Sequence, residues 1–147
     1  MKYNRLFLIV VVCLSLFSLG TYAQFGDELV DDCASDIGNA TYLKDFKVQL
    51  QKAEKNQPIP VHRVSVVLNA GTTYKFSVCN APEYEGAAII QLYDSNRLLG
   101  SSLSLQTGKL MKEFMMQCSK TGVYYMFISF QDGKEGCAAA ILSYVEN

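Results

Sequence analysis

The chain has 147 residues, 50% of them hydrophobic and 18% charged, with a formal net charge of −1. That length suits one domain with a real core and is too short for two. With no Lys/Arg cluster to track a phosphate backbone, nucleic acid is a poor partner class. A single His, and no GxSxG, HExxH or glycine-rich phosphate loop, leave the common catalytic constellations without their parts, so the chain reads as a non-enzyme.

The first residues carry Lys2 and Arg5 ahead of an apolar run from Leu6 to Leu19, and Thr21-Tyr22-Ala23 forms a cleavage site before Gln24. This reads as a signal peptide over residues 1–23. The run falls short of the about 18 apolar residues a spanning helix needs, and no second such stretch follows. The expectation is a secreted or periplasmic protein with no membrane span after cleavage. Residues 24–40 hold Asp27, Glu28, Asp31, Asp32 and Asp36 without a basic residue, and read as a solvated acidic arm tied down at Cys33.

Residues 41–147 form the domain proper. Thr41 to Lys52 fits both a helical stripe (Leu43, Phe46, Leu50) and a strand alternation (Phe46, Val48, Leu50), and is read as a strand. Asn56, Pro58 and Pro60 mark a loop. Val61 to Asn69 places His62, Val64, Val66 and Leu68 on one face, with His62 as a residue at the core rim rather than a catalytic one. After a turn at Ala70-Gly71, Thr72 to Cys79 alternates Tyr74, Phe76 and Val78 with polar residues, which predicts a hairpin. Ala87 to Asp94 turns at Ser95-Asn96 into Leu98 to Leu105, and Leu110 to Cys118 follows. The most strand-like run is last: Tyr124, Met126, Ile128 and Phe130 share one face, Val123, Tyr125 and Phe127 the other. Asp132-Gly133 then turns it into Cys137 to Tyr144. About eight short strands with turns every 8 to 12 residues or so, and no alternating helices, predict an all-β, antiparallel, jelly-roll-like sandwich.

Three segments, VSVVLNAGTTYKFSV (64–78), AIIQLYDSNRLLGSS (88–102) and KTGVYYMFISF (120–130), resemble in order the core segments of the bacterial pre-peptidase C-terminal domain. The resemblance implies a small β-sandwich of the kind attached to secreted hydrolases, here without a catalytic domain, and Arg97 stands where that family often has Gly. The end of the leader is similar to those of small exported proteins of Bacteroidota.

Once Cys13 leaves with the leader, Cys33, Cys79, Cys118 and Cys137 remain. An even number in an exported chain predicts two disulfides, and the lack of any CxxC pair argues against a zinc site. Counting reversals of direction puts the turns near 70, 95 and 120 at one end with Cys118, and Cys79 with Cys137 at the other. With Cys33 entering at the first end, the predicted pairs are Cys33–Cys118 and Cys79–Cys137.

The same count gathers the longer loops at the Cys79 end: residues 53–58, 80–86, 104–109 and 131–136. Function concentrates on such loops. Two of them bring Glu83, Tyr84 and Glu85 beside Asp132 and Glu135, and the predicted Cys79–Cys137 bridge would hold them together. Four carboxylates on one rim need a cation or a basic partner, and oxygen ligands suit calcium, so this rim is the candidate metal or polar-ligand site. The function expected is a non-catalytic binding module with an unidentified protein or glycan partner, or else an accessory envelope protein acting through protein contacts.

Overall fold

The computed structural model describes residues 21–146, so nearly all of the predicted leader lies outside the described residues. Helix α1 (Thr21–Ser35) is followed by eight strands: β1 (Thr41–Leu50), β2 (His62–Leu68), β3 (Thr73–Asn80), β4 (Ala88–Asp94), β5 (Arg97–Ser101), β6 (Glu113–Gln117), β7 (Gly122–Phe130) and β8 (Gly136–Val145). They form two four-stranded antiparallel sheets, β1-β8-β3-β6 and β2-β7-β4-β5. Successive strands alternate between the two sheets except at the β4–β5 hairpin, which is the jelly-roll arrangement predicted from the spacing of the strands.

Between the sheets lies one core. The inward rows of β2 (Val66, Leu68), β3 (Tyr74, Phe76, Val78), β4 (Ile90, Leu92), β7 (Tyr124, Met126, Ile128, Phe130) and β8 (Ala138, Ala140, Leu142) are all buried in it. Phe114 of β6 stacks on Phe76 with ring centroids 5.0 Å apart, and Gly100 of β5 faces that Phe114 ring where a Cβ would come within 2.6 Å of it. The alternation read in the sequence names the buried rows of β2, β3 and β7, while those of β4 and β8 come from the structure.

The strand pairing differs from the expected hairpins at two places. β2 and β3 are consecutive but lie in different sheets: β2 pairs with β7 (Val66 opposite Tyr124), and β3 pairs with β8 and β6. The turn at residues 69–72 is thus a corner over the edge of the sandwich, held by Gly71 N–H to the Cys118 carbonyl (2.8 Å) and Asn69 N–H to the Tyr74 hydroxyl (2.9 Å). β7 and β8 likewise cross between sheets through a 3-10 turn at Gln131–Gly133. Only β4 and β5 form the tight hairpin expected, Asp94 opposite Arg97 around Ser95 at φ 54°. β1 is a strand, paired with β8 along its length.

The acidic arm is the larger correction. Residues 21–35 are helical, and α1 packs on the outer face of the first sheet, chiefly on β8 and also on β3 and β1. Val30, Cys33 and Ile37 bury against Ala139 and Ile141 in a second apolar cluster. Val30 and Cys33, with Leu29 and Ala34 beside them, make an apolar stripe that the helix turns to the sheet with its acidic face to water, and Ile37 extends the patch just past the helix end. Lys75 of β3 secures the chain just beyond the helix, donating to the Ile37 carbonyl (3.2 Å) while pairing with Glu113 (2.7 Å).

Candidate functional site

The helix also decides the cysteine pairing. Cys33 is bonded to Cys79, with Cα atoms 5.6 Å apart, while Cys118 is buried and free and Cys137 is half-buried and free. Neither predicted pair, Cys33–Cys118 or Cys79–Cys137, is formed. The count of strand directions placed Cys79, Cys118 and Cys137 at the correct ends. It failed for Cys33, because a chain taken as an arm entering at the Cys118 end is instead a helix lying across the outside of the sheet, and that carries Cys33 over to β3. Cys118 sits under the opposite end, its Sγ 3.2 Å from the Lys120 carbonyl oxygen and 3.5 Å from the Tyr124 hydroxyl.

At the Cys79 end, the rim residues predicted from the sequence come together. Glu83, Tyr84, Glu85, Asp132 and Glu135 all line one cleft of about 520 Å³, and Lys52 and Lys134 complete it. It is assembled from three segments: the β1–β2 connection, the β3–β4 loop and the β7–β8 crossover. The fourth predicted loop, residues 104–109, folds on itself through Gly108 N–H to the Ser104 carbonyl (2.8 Å) and does not line the cleft.

What braces these segments is main chain rather than a disulfide. Gly86 N–H donates to the Glu135 carbonyl (2.9 Å), Gln131 N–H to the Ala87 carbonyl (2.9 Å), Ala81 N–H to the Cys137 carbonyl (2.8 Å) and Ala53 N–H to the Gly133 carbonyl (2.7 Å). Two glycines permit the approach. A Cβ on Gly86 would lie 2.5 Å from the Glu135 carbonyl oxygen, and one on Gly133, itself at φ 65°, 2.8 Å from the Ala53 Cβ. Tyr84 is anchored from the sheet, its hydroxyl accepting from Gln49 Nε2 of β1 at 3.0 Å.

The cleft carries both signs of charge. Lys134 lies 3.8 Å from Glu85, and both side chains are largely in water. Lys52 was no part of the predicted rim; its place follows from the Ala53–Gly133 hydrogen bond, which draws the end of β1 against the crossover, a contact with no signal in the sequence. Among the described residues, no three His, Cys, Asp or Glu side chains gather as the ligands of an ion would. The carboxylates expected to attract calcium share the cleft with two lysines. His62 is half-exposed within β2, opposite Ile128 of β7.

At the opposite end a smaller hollow of about 220 Å³ lies between Asp94 and Arg97 on one side and Gln117, Lys120 and Tyr124 on the other. Tyr124 donates to the Lys120 carbonyl at 2.6 Å. Its contact with the Cys118 side chain, together with burial, pushes its phenol up to about 12.

No family model matches the chain, and no curated protein does, so the likeness to the pre-peptidase C-terminal domain rests on the three segments alone. Among solved structures the fold is similar to that of PliG from Aeromonas hydrophila, described as a periplasmic lysozyme inhibitor of g-type lysozyme. The match has a TM-score of 0.51 at 10% identity and covers 71% of this chain and 87% of that one, which establishes a shared β fold. Among the described residues no helix is long and apolar enough to cross a membrane.

Proposed function

We propose that this chain is a non-catalytic binding module of the periplasm or the cell exterior, and that it engages a partner protein through the long-loop end of the sandwich. The observation that carries this reading is the cleft. Three separate segments are bolted together by main-chain hydrogen bonds to present Glu83, Tyr84, Glu85, Asp132 and Glu135 beside Lys52 and Lys134 on a rigid scaffold. Charges of both signs in one cleft steer and register a polar protein surface better than they hold a bare cation. The Cys33–Cys79 bridge fits an oxidising compartment. A periplasmic inhibitor with a similar fold supports a role in protein recognition.

Site-directed photo-crosslinking in the exporting cell tests the location. A crosslinker at Glu135 is expected to capture protein, and one at Asn96, at the far end, is not. Capture from Asn96 alone, or of a glycan from Glu135, would refute the proposal.

The similar fold also favours a more specific reading, inhibition of a g-type lysozyme. Adding the purified protein to such an enzyme clearing a peptidoglycan suspension tests it directly. Inhibition that disappears in the Glu83→Lys, Glu85→Lys variant supports the specific reading. No inhibition removes it and leaves the crosslinking result to decide the general one.

A further inference from the structure

Three of the four cysteines that follow the leader converge on one patch of the outer sheet face. Cys79 of β3 is opposite Ala139 of β8, and Cys33 Sγ lies 3.6 Å from the Ala139 carbonyl oxygen. Cys137 is two residues before Ala139 on the same strand, hence on the same face, and Ala81 N–H to its carbonyl (2.8 Å) shows that the β3–β8 ladder reaches it. Cys79 and Cys137 are therefore diagonal neighbours across two paired strands. Such neighbours lie about 7 to 8 Å apart, so a bridge between them needs a shift of about 1 Å in the strand backbone. Cys137 is the second residue of β8, at the end of the strand that follows the 3-10 turn, and it is only half-buried.

We propose that these three cysteines form a thiol–disulfide exchange site in which Cys137 can take Cys79 from Cys33, so that helix α1 is either stapled to the sheet or released from it. The thiolate of Cys137 attacks Sγ of Cys79, the Cys79–Cys137 bond forms as the Cys33–Cys79 bond breaks, and Cys33 leaves as a thiolate that takes up the proton lost by Cys137. One disulfide and one thiol go in and one of each comes out, so no oxidant or reductant is consumed. In the first state the bridge ties α1 across Ala139 and Ile141. In the second it ties β3 to β8 at the foot of the two cleft loops, and α1 is held without a covalent tie, by its packing, the Lys47–Asp27 pair and the Lys75 hydrogen bond to Ile37.

The surroundings of Cys137 set the rate. Burial raises its thiol, and Glu83 in the β3–β4 loop raises it further. From β1, Gln49 is opposite Cys137 and Lys47 is opposite Ala139, with Lys47 paired to Asp27 of α1. The thiolate is thus scarce at neutral pH, the stapled state persists, and exchange accelerates as pH rises.

The test uses the oxidised protein without added thiol, incubated between pH 7 and 9, quenched in acid, alkylated and mapped without reduction. The expected result is alkylated Cys33 together with a Cys79–Cys137 peptide. Their rate of appearance should rise about tenfold per pH unit below the thiol pKa, be independent of protein concentration, increase in Glu83→Gln and vanish in Cys137→Ser. Buried Cys118 serves as the internal control for unfolding. A second arm asks the geometric question alone: Cys33→Ser in a glutathione redox buffer should form Cys79–Cys137 with its far-UV circular dichroism retained. If Cys33 is never alkylated by pH 9, or if Cys33→Ser keeps both remaining thiols free, the exchange site is refuted.

Discussion

Tyr124 shows how much a single side chain can report. It faces the core from β7, its hydroxyl lies against the Cys118 thiol and the Lys120 carbonyl, and its phenol is raised to about 12 by that thiol and by burial. An acid whose folded pKa lies above its unfolded value of about 10 adds stability that is complete below pH 10 and is lost as pH rises toward 12. The melting temperature is therefore expected to fall over pH 10 to 12, and to fall less steeply in Tyr124→Phe; equal slopes would show that Tyr124 is not responsible. Ser77 offers the opposite case. Its hydroxyl is buried under the helix-covered face and makes no hydrogen bond among the described residues. Replacing it with Ala removes an unsatisfied group without opening a large space, so Ser77→Ala should be neutral or stabilising by up to about 1 kcal/mol in chemical denaturation. Neither environment could be read from the sequence. Tyr124 was legible as a core residue from its alternation with Met126 and Ile128, but its polar partners come from the β6–β7 turn, and Ser77 looked like an exposed residue on a polar strand face.

At the scale of elements, the strands were legible and the helix was not, and the reason is physical. Each strand shows its period-2 row because its inner face meets the same core. Helix α1 contributes only a narrow stripe, and five acidic residues around it dominate the composition, although the spacing of Val30 and Cys33, with Leu29 and Ala34 beside them, carried the amphipathic signal. A second clue was β8, whose outer row holds Ala139 and Ile141, fully buried residues that something had to cover. Because the helix was missed, so was the disulfide, which closes a sequence separation of 46. A loop of that length corresponds to about 4 kcal/mol in the chain-entropy treatment. Ile37→Ala, which empties a buried position in the cluster that joins the end of the helix to the sheet, should cost about 2 to 4 kcal/mol by urea denaturation. A loss below about 1 kcal/mol would mean that the bridge alone, rather than packing, holds the helix in place.

Across the whole molecule, the alternation of strands between sheets sorts its ends. Every reversal near residues 70, 95 and 120 is short, and the wider connections 51–61, 81–87 and 131–135 meet at the other end. That sorting depends only on the parity of strand direction, so it survived the two misread hairpins and allowed five cleft residues to be named from the sequence. What parity could not supply is how the loops are held, because the Gly86–Glu135 and Ala53–Gly133 contacts join backbone groups that look alike in any sequence. The consequence is a separation of roles within the cleft. Its charged side chains lie in water, and an exposed pair such as Lys134–Glu85 contributes no more than about 1 kcal/mol. The glycines carry the architecture instead, and Gly86→Ala forces a Cβ against the Glu135 carbonyl, a clash of the kind that costs about 1 to 3 kcal/mol. Glu83→Ala, Glu85→Ala and Lys134→Ala are therefore expected to leave the denaturation midpoint nearly unchanged while weakening crosslinking from Glu135, and Gly86→Ala to lower both. Millimolar calcium should leave the midpoint where it is, since Lys52 and Lys134 already stand among the carboxylates. A calcium-dependent rise abolished by Glu83→Ala with Asp132→Ala would return the cleft to a cation site.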